Sequence, residues 1–257
     1  MDNNFEIASA EFASGNYPLA VQFLQYVLAR DDEHFGALRL MGLACLALNE
    51  TPDGIAALEE ASLLRPLDAA ARIELAIGYG ASGHPDLSCD LLMSEATGGR
   101  ANASEMLRIA VGLEAVDEPR LAMEACRRAG AANPDSAEVH YQMGWYARRC
   151  GHSDSVVEAL LRHAINLEPL NIHYRIGLAS LLITLGRKSE AVLLLDLLIP
   201  ESLDAVACQC CLKRIANLYF DFNDFDRASR CAQRLREIAR PQSGAKVSAH
   251  SSPFGVA

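Results

Sequence analysis

The sequence predicts an all-α chain, a solenoid of about seven stacked helical hairpins. Three observations carry that prediction. A column of Ala or Gly recurs with a 34-residue period, at Ala8, Gly42, Ala76, Ala110 and Gly144 and, after short insertions, at Ala179 and Ala216. Later in each repeat stands Gly15, Asn49, Gly83, Asp117, Gly151, Gly186 or Asn223, the residue types that most readily take positive φ and so end helices. Beyond each turn a second column reads Ala20, Gly54, Ser88, Ala122, Val157, Ala191 and Ala228, so two antiparallel helices face each other across small side chains.

Taken in order, repeat 1–34 places Ala8 on a first helix, turns at Gly15, restarts at Pro18 and puts Leu24 between the two helices. Proline fits there because its φ suits a helix start and its missing N–H is not needed. Repeat 35–68 does the same with Gly42, Asn49, Pro52 and Leu58, and Pro66 stops its second helix. Repeat 69–102 uses Gly83, Pro85 and Leu92 but runs into Gly98 and Gly99 where a proline is expected, which predicts an early end and a looser joint. Repeat 103–136 has Asp117, Pro119, Cys126 and Pro134; repeat 137–171, one residue longer, has Gly151, Leu161 and Pro169. Repeat 172–205 carries Gly186 and Leu195, and repeat 209–242 follows after three extra residues. In that last repeat Ser229 stands where earlier ones carry Val21, Ile55, Cys89, Met123 and Val192, and Arg227, Arg230, Arg234 and Arg236 predict a polar outer cover for the end of the array. Residues 243–257, small and polar with turn formers, read as a disordered tail.

This pattern resembles the tetratricopeptide-repeat (TPR) family, whose unit is a helix–turn–helix of this length with small residues at its eighth and twentieth positions and a proline near its end. The resemblance covers about residues 1–242 and implies a right-handed α-α superhelix with first helices lining a concave groove. In the family that groove holds a peptide or a partner helix. The matching positions here are Arg39, Leu43, Leu46, Ile73, Ile77, Leu107, Val111, Tyr141, Trp145, Arg148, Arg149, Ile176, Ile183, Lys213 and Asn217. The Ile and Leu positions also suit packing across a tight superhelix, since amphipathic stripes commonly serve the core. Trp145, the only tryptophan, with two arginines one turn on, has the make-up of an interface anchor. Lys213 and Asn217 match the first part of a carboxylate clamp known in some members, but no repeats follow to complete it.

The implied function is a non-enzymatic scaffold or adaptor for a protein or peptide partner. A chaperone for amphipathic secretion or assembly clients is a narrower form of the same reading, and self-association through an unfilled apolar groove is open. The 257 residues carry a formal charge of −10, with the acidic excess in 1–208, which argues against nucleic acid as a partner. No run is long and apolar enough to span a membrane and no secretory pattern opens the sequence, so no membrane insertion and a cytoplasmic location are expected.

Eight cysteines without disulfide-framework spacing read as reduced thiols. Cys208, Cys210 and Cys211 raise a second class of function, a thiol or metal sensor. With no second Cys or His pair at zinc-ligand spacing, packing is the reading taken and no metal or cofactor is expected. GASGHP and TGGRAN lack the strand, helix and lysine of a phosphate loop, and Cys150 with His152 falls at a turn, so no catalytic residues are assigned.

Overall fold

The computed structural model describes residues 3–239, so the expected tail and the end of the last repeat lie outside the described residues. Within them are fourteen α-helices, one 3₁₀ turn and no strand. The hairpins are α1 (Asn3–Ala13) with α2 (Tyr17–Leu28), α3 (Phe35–Ala47) with α4 (Thr51–Leu64), α5 (Ala69–Ala81) with α6 (Pro85–Thr97), and α7 (Ala103–Ala115) with α8 (Pro119–Ala132). They continue with α9 (Ala137–Arg149) and α10 (Asp154–Leu167), α11 (Ile172–Thr184) and α12 (Lys188–Leu195), then the 3₁₀ turn Pro200–Ala205, and α13 (Gln209–Asp221) with α14 (Phe225–Ala239). No helix of the described residues is long and apolar enough to cross a membrane.

Every predicted turn residue has positive φ, from Asn223 at 59° to Gly83 at 89°. The helix before it ends because that backbone reverses the chain, and the next helix restarts within a few residues. The small columns are buried through the first six hairpins, and Ala216 and Ala228 are half-buried in the seventh. Between each pair of helices the bulky column Leu24, Leu58, Leu92, Cys126, Leu161 and Leu195 is fully buried. Each such leucine contributes about 1.5–3 kcal/mol of apolar burial, which an isolated hairpin of this length needs. α4, α8 and α10 stop two residues before Pro66, Pro134 and Pro169, as a ring that blocks helical geometry in its predecessor demands.

The helices group into two compact units, Met1–Ala132 and Asn133–Ala257. The first holds α1 to α8 and the second α9 to α14.

In the first unit α6 ends early at Thr97, and Gly99 takes φ 71°. The joint that follows is nonetheless tied. Asn102 and Glu105 form a reciprocal capping box at the start of α7, Arg72 grips Glu95 in two parallel hydrogen bonds, and Arg128 donates to the Ala96 carbonyl. Arg108 likewise forks onto Glu74, joining α7 to α5.

In the second unit the seam between hairpins five and six carries charge. Glu158 on α10 accepts from Arg187 at 2.6 Å and pairs with Arg162 at 2.7 Å, with its side chain only 16% exposed. The arginines of α14 are a correction to the expected outer cover. Arg227 reaches Asp196 at 2.6 Å, Arg230 reaches Asp204 at 2.5 Å, and Arg234 donates to the Val206 carbonyl, so they hold the last helix onto the segment before it.

Candidate partner-binding faces and a thiol cluster

A column of caps precedes the first helices. The side chains of His34, Asp68, Asn102, Ser136, Asn171 and Cys208 each accept a backbone N–H from the helix that follows, at 2.8 to 3.4 Å. These bonds satisfy donors that a helix N-terminus otherwise leaves open.

On the first unit, Arg39 is half-buried and its guanidinium lies 2.5 Å from Asp68, the cap of α5. Leu43 and Leu46 are half-buried and pack on the cluster of Leu38, Leu58, Ala61, Leu67 and Ala71. Ile77 lies over Gly112, where a Cβ would come within 2.7 Å of it. Leu107 and Val111 are half-buried on α7. Ile73 is buried, 1% exposed, and belongs to the core.

On the second unit, Tyr141 and Ile176 are buried, the Tyr141 ring standing 4.8 Å from that of Tyr174. Burial pushes the Tyr174 phenol up to about 12, which keeps it neutral. Trp145 is half-buried at the last turn of α9, and exposed Arg149 lies over its ring at 6.0 Å. A contact of that length contributes about 0.5–1 kcal/mol at an exposed site and holds both groups in place. Arg148 is half-buried, and its Nη1 is covered without a hydrogen-bond partner among the described residues. Ile183 is half-buried, while Lys213 and Asn217 are exposed on α13.

The structure therefore brings Trp145, Arg148 and Arg149 together and withdraws Ile73, Tyr141 and Ile176 into packing. A cleft of about 580 Å³ between α14 and the 3₁₀ turn is lined by Arg227, Arg230, Arg234, Asp204 and Glu237. Its guanidinium groups are engaged by carboxylates or carbonyls already described, and Arg230 holds the Asp204 carboxyl below its usual range.

The thiols were read as packing, and Cys211 does pack, with no exposure. Cys208 and Cys210 are less enclosed. Both are half-buried, their sulphurs lie 2.9 Å apart, and the three Sγ atoms fall within 4.8 Å of one another. Burial, then the hydrogen-bonded Cys208 beside it, push the Cys210 thiol up. Spacing alone hid this convergence, which depends on α13 starting immediately after Cys208. Elsewhere, Cys45 and Cys231 are buried, and desolvation pushes each up to about 11.

No family model matches the chain, and no curated protein matches it in sequence. Solved structures do. The chain is similar to pilF of Pseudomonas aeruginosa at 18% identity and a TM-score of 0.63, covering 84% of this chain and 96% of that one. It is also similar to a thermophilic TPR protein of Thermus thermophilus at 17% identity and a TM-score of 0.56, covering 70% and 98%. MamA residues 41 to the end, from Desulfovibrio magneticus, gives 16% identity and a TM-score of 0.54 over 65% and 93%. Hairpins of one period, small columns buried in register and this likeness along most of the sequence together establish that the chain has the tetratricopeptide-repeat fold.

Proposed function

We propose that this chain is a non-enzymatic scaffold that holds a segment of a partner protein against the presented faces of its first helices. The observation that carries the reading is the group at the end of α9. Trp145 is half-exposed, and the exposed Arg149 lies over its ring. An aromatic anchor next to guanidinium donors suits a peptide that brings an apolar side chain followed by a carboxylate or carbonyl. On the first unit the half-buried Leu43, Ile77, Leu107 and Val111 offer apolar contacts, with Arg39 at their edge. Lys213 and Asn217 supply polar contacts on α13.

The test is affinity capture with the intact protein beside a Trp145→Ala, Arg149→Glu double variant. Partners that bind the intact chain are expected to fall at least tenfold with the variant while its helical circular dichroism is unchanged. An identical set of captured proteins removes the α9 group from the reading.

A further inference from the structure

We infer that Cys208, Cys210 and Cys211 form a binding site for one soft, thiophilic cation of low coordination number, for which copper(I) is the fitting ion. The three sulphurs converge within 4.8 Å at the start of α13, and among the described residues no further His, Cys, Asp or Glu joins them. Zinc in a structural site is held by four protein ligands, and hard cations take oxygen, so a three-sulphur set favours a soft d¹⁰ ion content with three thiolates. The dimensions fit. With metal–sulphur bonds of about 2.3 Å, three sulphurs in a plane around one ion stand about 4 Å apart. Cys208 and Cys210, at 2.9 Å, have to part by about 1 Å. Rotation about their Cα–Cβ bonds supplies that movement, since both side chains are only half-buried.

The cap column gives an independent reason. Where the other first helices place the nitrogen of His34 or the oxygens of Asp68, Asn102, Ser136 and Asn171, this one places a sulphur, a weak acceptor. Capping alone favours Ser, Asp or Asn at position 208. A thiol held there, turned toward two more, is explained by what three thiols do together. The positive end of the α13 dipole and Arg214, close enough to act on Cys210, offset part of the negative charge that a three-thiolate site retains around a monovalent ion.

The experiment titrates the reduced, oxygen-free protein with copper(I), supplied as its acetonitrile complex, in competition with a chromophoric copper(I) chelator. One ion per chain is expected, with a near-ultraviolet thiolate-to-copper absorption. Cys208→Ser and Cys210→Ser are each expected to weaken binding at least a hundredfold, and Cys89→Ser to leave it unchanged. Cys208→Ser restores an ordinary oxygen cap, so it is expected to melt no lower than the parent, which separates loss of the ligand from loss of the fold. The assignment is overturned if no stoichiometric copper binds, if binding survives in the Cys208→Ser, Cys210→Ser double variant, or if the protein keeps one zinc against equimolar copper(I). None of these outcomes touches the α9 group.

Discussion

Gly42 and Gly54 meet across the hairpin of α3 and α4 with no side chain on either. A Cβ on Gly42 would fall 2.5 Å from Leu58 Cγ and 2.9 Å from the Gly54 carbonyl oxygen. Leu58 is fully buried and has nowhere to retreat. Gly42→Ala is therefore expected to destabilise by about 1–3 kcal/mol in urea unfolding, although alanine is the better helix former by about 1 kcal/mol. A smaller effect, or a gain, would mean the hairpin opens freely. Ser88 presents the opposite case. It sits in the second small-residue column, fully buried, and its hydroxyl has no hydrogen-bond partner among the described residues. Ser88→Ala is expected to raise stability by about 1 kcal/mol, read as a higher urea midpoint at unchanged slope. Both positions were legible in the sequence because closeness of two helices demands small residues locally. The depth of Ile73, Tyr141 and Ile176 was not, since periodicity assigns a residue to a face and says nothing of what covers that face.

At the scale of elements, the caps and the charged seams set how each helix joins the next. Glu158 shows how a seam responds to pH. The Arg187 guanidinium, with Arg162 adding to it, holds the Glu158 carboxyl below its usual range. A folded value below the unfolded one means stability that is present above about pH 4.3 and lost as pH falls through the folded value. Glu158→Gln is thus expected to lower the melting temperature by a few degrees at pH 7 and by less at pH 3. An equal loss at both pH values would show that the glutamine fails for reasons of shape. The sequence columns assign no charged contact to this seam. They miss the ion pair because Arg187 comes from the turn of the next hairpin, outside any column. The α14 arginines were misplaced for the same reason: a helix face rich in charge looks solvated until the acids of the preceding segment, Asp196 and Asp204, are brought beside it.

At the scale of the molecule, the order and number of hairpins were fully legible, whereas the grouping into two compact units was not. No change of period or composition marks residue 132, because the same column rules operate on either side of it. In a repeat chain stability is the sum of each repeat's own and of the contacts with its neighbours. Gly42→Ala is accordingly expected to speed amide exchange in α3 and α4 far more than in α9 to α14. Uniform acceleration along the chain would instead show one cooperative unfolding unit.

The turn glycines add a practical consequence. A Cβ at Gly15, Gly83, Gly151 or Gly186 would meet nothing within 4 Å, so the tight bends project into open space while every helix contact lies behind them. Extra residues spliced in beside such a bend leave the interlocked faces undisturbed. An epitope spliced in beside Gly15, in the unit that does not carry the α9 group, is therefore expected to leave the helical circular dichroism unchanged.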